Sequence, residues 1–201
     1  MQITNTILMV RPVNFRMNEQ TAVNNYFQED LDLKNQEINV KAQQEFDAFV
    51  LALREKGVNV IVVDDKKDLD TPDSIFPNNW VSFHADGTLS DRADEDLFIE
   101  FCEDFEYTPI VFTANQSVAG TRKPIYHTNV MMCLAETFAV ICLDSIDDKK
   151  EKKNVVNHIK QDGKEIIAIT EKQMHHFAGN MLQVLGMGEK RYLVMSTAAY
   201  N

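Results

Sequence analysis

The sequence predicts an α/β fold built as an array of small repeated modules, and three observations point there. A helix-period stripe, a stop and a short apolar strand recur three times along the chain. Paired apolar runs lie between these copies, so the unit is strand, strand, helix, strand and not a simple alternation. Asn79, Asn129 and Asn180 each stand before a strand entry, at intervals of about 50 residues. A period of this size suits a propeller-like closed array whose strand entries face a common axis.

The first element is Ile7-Leu8-Met9-Val10, a buried strand closed by Arg11-Pro12, where proline removes a backbone donor. Residues 13 to 36 are polar and poorly periodic. Between Val40 and Lys56, Ala42, Phe46, Phe49, Val50 and Leu53 form one stripe of an amphipathic helix, which Gly57 stops. Val58 to Val63 is almost wholly apolar, as a strand covered on both faces would be.

The second copy runs through Leu97, Phe98, Phe101, Cys102 and Phe105 into the strand Pro109 to Phe112, with acid from Asp94 to Asp96 in the helix's first turn. The third is a helix from Lys149 to Gln161 carrying Val155, Val156 and Ile159, a stop at Gly163, and the strand Glu165 to Ile169. Its Lys149 to Lys153 run is a solvated helix face. The strand pairs are Val130–Leu134 with Phe138–Leu143, and Met181–Val184 with Tyr192–Ser196, the latter joined through Gly186 and Gly188.

At 201 residues, 44% apolar and 25% charged, the chain is long enough for one good core, and residues 1–201 are expected to form a single domain. A net charge of −11 argues against a non-specific grip on nucleic acid or anionic membranes and leaves cationic small molecules as partners. No run approaches the roughly 20 apolar residues of a membrane span, and the N-terminus lacks a basic flank, so a soluble, cytoplasmic chain is expected. Cys102, Cys133 and Cys142 are odd in number and share no short spacing, so neither a disulfide framework nor a zinc site is suggested. All three read as structural.

Two stretches can carry chemistry. In Ile125-Tyr126-His127-Thr128-Asn129-Val130-Met131-Met132-Cys133, the histidine stands at the mouth of an apolar strand, where it is either a structural residue or a rigidly held proton-transfer group. In Thr71-Pro72-Asp73-Ser74-Ile75-Phe76-Pro77-Asn78-Asn79-Trp80, an acid, an aromatic and two amides lie within seven residues, the acid and the aromatic between two prolines that fix the loop. This is either an Asx-type turn with a core phenylalanine, or a set of acceptors for a guanidinium with Phe76 stacking on its plane. Arg92, just before a helix, is a surface residue or a fork for a carboxylate. His175-His176 lacks the ligand spacing of a metal site, and His84 and His158 stand alone, so no metal and no other cofactor is expected.

Pro72 to Trp80, Ile125 to Met132 and His176-Phe177-Ala178-Gly179-Asn180-Met181-Leu182, taken together and in order, resemble the amidinotransferase and arginine deiminase superfamily, nearest its citrulline-hydrolase-like branch. The resemblance runs along essentially the whole chain. It implies the pentein fold, an α/β propeller of five ββαβ modules. It also implies a cysteine that attacks a guanidino or ureido carbon and a histidine that protonates the leaving amine and then activates water. Carried over by motif, His127 matches the acid/base, Asp73, Asn78 and Asn79 the loop holding the guanidinium-like group, and Arg92 the grip on the substrate α-carboxylate. Relatives carry acids at the two amide positions, and the amides here lower the negative charge in a way that suits a neutral ureido group such as that of citrulline.

Two departures accompany the match. The family's Glu-Gly-rich motif should lie between the Asp73 loop and Arg92, yet His84-Ala85-Asp86-Gly87-Thr88 runs straight into Leu89-Ser90. The family's nucleophile follows a Gly-rich loop near the C-terminus, and none of Cys102, Cys133 and Cys142 matches it. The expectation is therefore an incomplete pentein-like domain that binds weakly and does not turn over. Its exposed apolar edges favour a homo-oligomer. A non-catalytic α/β binding or assembly module is the rival expectation.

Overall fold

The computed structural model describes residues 3–22, 25, 34–76, 86–87, 95–104 and 106–201. It divides into two compact units, one of Thr4–Ser82 with Val184–Tyr192, the other of Met1–Ile3, Phe83–Gln183 and Leu193–Asn201.

In the first unit β1 (Thr6–Arg11) and β2 (Asn59–Asp64) pair in parallel, Thr6 opposite Asn59 and Arg11 opposite Asp64, with α1 (Asn35–Glu55) as the crossover. The helix begins at Asn35, inside a stretch whose polarity conceals it. Phe46, Val50 and Leu53 of the predicted stripe are buried, whereas Phe49 is exposed. Gly57 ends the turn at φ 82, and a Cβ there would lie 2.6 Å from the Met187 backbone nitrogen. Only glycine meets both the left-handed backbone and the close approach.

The reading of β2 as covered on both faces is corrected. Val58 and Val60 are buried, but Ile61 and Val63 are each 49% exposed, and Leu8, which pairs with Ile61, is 55% exposed. Ile7 to Val10 is likewise only partly covered. The apolar run reflects β-branched strand preference, which does not specify how many faces are packed.

In the second unit β3 (Asp86–Gly87) pairs in parallel with β4 (Thr108–Pro109), which follows α2 (Glu95–Asp104). The predicted strand to Phe112 is therefore cut short, although Ile110 and Phe112 are buried. An unforeseen antiparallel hairpin comes next, β5 (Asn115–Val118) with β6 (Thr121–Pro124). Its two-residue turn, Ala119 at φ 48 and Gly120 at φ 78, has the positive angles that fit a right-twisted hairpin.

The expected strand, strand, helix, strand unit is seen most fully between Thr128 and Ala168. A helical turn, α3 (Thr128–Met131), leads into β7 (Met132–Leu134), which is antiparallel to β8 (Phe138–Ile141). The chain crosses through α4 (Lys149–Gln161) to β9 (Glu165–Ala168), parallel to β8 with Phe138 opposite Glu165. Asp148 caps α4 by accepting from the N–H groups of Lys150 and Glu151, while Val155 and Ile159 are buried. Val130 belongs to the helical turn and not to the strand, which corrects the single run Val130–Leu134. Asn129 therefore precedes its strand by a turn, and Asn79 lies outside the described residues.

Thr170 and Gln173 form a capping box at α5 (Glu171–His175). β10 (Leu182–Leu185) and β11 (Arg191–Val194) then pair as a two-stranded sheet, followed by α6 (Thr197–Tyr200). The mixed α/β class stands. Among the described residues no helix is long and apolar enough to cross a membrane.

Candidate functional site

His127 is the residue before α3, with extended backbone angles φ −147 and ψ 136, and its carbonyl accepts from the Val130 N–H at 3.1 Å. It stands one helical turn before the strand and not at its mouth, which corrects the sequence reading. The ring is half-buried with Nε2 inside, and it meets Tyr126 edge to face, centroids 5.1 Å apart. Two contacts fix the turn that carries it. The Cys142 N–H donates to the Met131 carbonyl at 2.9 Å, and Gly179 lies so close that a Cβ would be 2.4 Å from the Val130 carbonyl oxygen. The stretches containing His127 and Gly179, separated in sequence, are thus packed backbone to backbone.

Asp73 and Phe76 lie in the first unit, on the loop that leaves β2. Asp65 organises that loop: its carboxylate accepts from Thr71 Oγ1 at 2.6 Å, from Ser74 Oγ at 2.7 Å and from the Lys66 N–H at 2.7 Å. Burial alone would raise the Asp65 carboxyl, but the two hydroxyls and the amide outweigh it and hold the group below the usual carboxylate range. The Phe76 N–H donates to the Asp73 carbonyl at 3.0 Å, closing a turn. Asn18 Nδ2 donates to Asp73 Oδ2. Phe76 meets Phe15 edge to face at 6.4 Å and remains exposed, so it is not the core residue of a plain turn.

Asn78, Asn79 and Arg92, the other expected substrate-holding residues, lie outside the described residues, as does His84. His158 is half-buried, its Nδ1 2.9 Å from the Asn154 carbonyl, and His176 Nδ1 is 2.7 Å from the Lys172 carbonyl. Among the described residues no three His, Cys, Asp or Glu side chains are grouped to hold a metal.

Cys102 and Cys142 are fully buried and Cys133 is half-buried. Burial pushes all three thiols up, away from the thiolate that a nucleophile needs.

Sequence reasoning missed Arg122, which has no motif around it. Its guanidinium donates to Asp147 Oδ1 at 2.7 Å, to Glu171, to the Asn115 carbonyl at 3.2 Å and to the Asp144 carbonyl at 3.1 Å. The Asp147 bond foremost pushes the guanidinium further up and holds the Asp147 carboxyl down. With its donors committed to the protein, Arg122 pins the β5–β6 hairpin and is unsuited to grip a ligand. Asn18 was missed as well, because nothing local marks it.

The sequence profile of the family described as N,N-dimethylarginine dimethylhydrolase, eukaryotic, matches residues 11–90 and 88–201. The two matched segments overlap at residues 88–90. No curated protein matches the chain. Among solved structures, the chain is similar to the apo form of ArgZ, an arginine dihydrolase from the ornithine–ammonia cycle in cyanobacteria, with a TM-score of 0.53 and 16% identity over 89% of this chain and 33% of that one. It is similar to AgrE in a ternary complex with ornithine and NAD+, with a TM-score of 0.52 and 16% identity over 88% of this chain and 32% of that one. The N-terminal domain of ArgZ, as a cysteine-to-serine variant bound to substrate, gives a TM-score of 0.52 at 14% identity over 88% of this chain and 80% of that domain. The chain thus spans about a third of the first two proteins. At these identities the likeness is one of fold.

Proposed function

The chain belongs to the eukaryotic N,N-dimethylarginine dimethylhydrolase family, and from that premise we propose that its residues serve chemistry at the guanidino or ureido carbon of a small amino acid. Arginine, its dimethylated form and citrulline are the candidates. His127 hands a proton to the leaving amine and later takes one from the attacking water, a role that suits an imidazole near neutral pH. Asp73 accepts N–H bonds from the guanidinium or ureido group and Phe76 offers a ring face to its plane. Asn78 and Asn79 add acceptors, and Arg92 forks onto the α-carboxylate.

The observation that carries this reading is that one family profile runs through both the Asp73 stretch and the His127 stretch. The reaction also needs a thiolate, and the three cysteines are raised by burial and poorly suited to supply it. These 201 residues are therefore a ligand-holding and proton-transferring portion that binds without releasing ammonia. A module missing at the 88–90 join accounts for the absent Glu-Gly-rich motif.

Calorimetric titration of the chain with L-arginine and L-citrulline, beside an ammonia assay, tests this. Binding that Asp73→Asn abolishes, without ammonia release, is expected. Unchanged binding in Asp73→Asn, or turnover that survives His127→Ala, overturns it.

A second reading, a non-catalytic assembly module, draws on the exposed Leu8, Ile61 and Val63 of one parallel sheet face, since parallel sheets are ordinarily covered on both sides. It predicts a concentration-dependent homo-oligomer in sedimentation and no binding of either amino acid.

A further inference from the structure

Residues 12–18 form a strap between α1 and the Asp73 loop. α1 fixes its start: Gln43 Nε2 donates to the Pro12 carbonyl at 2.8 Å, Asn39 Nδ2 donates to the Val13 carbonyl at 2.9 Å, and Asn39 Oδ1 accepts from the Phe15 N–H at 2.9 Å. Every second side chain beyond that point then reaches the loop. Asn14 Nδ2 donates to the Leu69 carbonyl at 2.7 Å, Arg16 pairs with Asp70 at 2.7 Å, and Asn18 donates to Asp73 Oδ2.

The three contacts differ in chemistry. Asn14 and Arg16 hold the loop's backbone and an exposed acid, whereas Asn18 acts on the carboxylate proposed to take the ligand. An amide donor orients a carboxylate without neutralising it. A lysine or arginine in its place would cancel the charge and compete with a cationic ligand.

Resting on the reading of Asp73 as ligand-holding, we propose that Asn18 is a positioning residue that binds Asp73 Oδ2, fixes the carboxylate's direction and leaves Oδ1 to accept from the guanidinium of an arginine-class ligand. Asn18 does not touch the ligand. Its effect is preorganisation of the group that does, with the strap transmitting the rigidity of α1.

The test titrates the full chain with L-arginine and records the thermal midpoint of each variant. Asn18→Ala weakens arginine binding about tenfold, the scale of one lost charge-assisted hydrogen bond. Arg16→Ala, which cuts the neighbouring strap contact, lowers the midpoint while arginine affinity stays within about twofold. The exchange Asn18→Asp with Asp73→Asn rebuilds the hydrogen bond in reverse, so the midpoint returns but binding does not. Equal affinity losses in Asn18→Ala and Arg16→Ala, or binding restored by the exchange, would make Asn18 a mere tether and overturn the proposal. Unchanged affinity in Asn18→Ala overturns it too, while leaving the role of Asp73 intact. Undiminished arginine binding in Asp73→Asn, or none by the unaltered chain, overturns the reading of Asp73 itself and this inference with it.

Discussion

Gly179 stands against the backbone of Met131: a Cβ at 179 would lie 2.6 Å from the Met131 carbonyl carbon and 2.9 Å from its Cα. The atoms it would strike are backbone, which cannot rotate away as a side chain can. They belong to the helical turn that His127 precedes. Gly179→Ala is expected to cost roughly 2–4 kcal/mol, by overpacking and not by backbone strain. The shift would also reach the histidine. Differential scanning calorimetry reads the loss, and displacement of the His127 imidazole NMR signals reads the movement. A variant with an unaltered midpoint and spectrum would show that the turn tolerates the added methyl.

Asp65 makes the Asp73 loop dependent on pH. Its carboxyl is held below the ordinary range despite burial, chiefly because Thr71 and Ser74 donate to the ionised form. A lowered native value means that the folded state favours the anion. The resulting stability is complete above the unfolded value, near pH 4, and is lost as pH falls through the lowered native value. The difference in midpoint between the unaltered chain and Asp65→Asn should therefore be constant from about pH 7 to pH 5 and shrink below about pH 4. A pH-independent difference would mean that the hydroxyls bond the neutral and charged forms equally.

How much of this was legible in the sequence depends on which forces write a local pattern. α4 could be read because Val155 and Ile159 recur at helical spacing behind a capping aspartate, Asp148. The β5–β6 hairpin could not, because Asn115-Gln116-Ser117-Val118 and Thr121-Arg122-Lys123-Pro124 lack apolar alternation. It is held by Arg122, whose acidic partners lie 25 and 49 residues away. α3 was hidden inside an apolar run that suits a buried turn and a strand equally. Pro72, Asp73 and Phe76 announced their loop, but Asn18 acts on it from 55 residues upstream, and no spacing rule reports a contact of that range.

Gln116 offers a test of that hairpin. Its side chain is fully buried, and neither its Nε2 nor its Oε1 has a hydrogen-bond partner among the described residues. A buried amide without partners is destabilising relative to an apolar group of the same shape. Gln116→Met, nearly equal in volume, is expected to stabilise the chain by about 1–2 kcal/mol, raising the midpoint by about 2–4 °C per kcal/mol. A lowered midpoint would show instead that the amide is satisfied in solution.

The turn of the same hairpin holds a second improvable position. Ala119 sits at φ 48, where a Cβ without a compensating side-chain hydrogen bond is strained, and Gly120 follows at φ 78. Asparagine tolerates that region, and Asn-Gly is the favoured pair for a two-residue turn of this hand. Ala119→Asn is therefore expected to stabilise the hairpin by roughly 0.5–1 kcal/mol. Gly120→Ala should do the opposite: a Cβ there meets nothing within 4 Å, so the whole penalty comes from the backbone angle. Amide hydrogen exchange of Val118 and Thr121, which flank the turn, separates the two. Slower exchange in Ala119→Asn and faster exchange in Gly120→Ala are expected, and the same direction in both would mean that the turn does not hold these angles in solution.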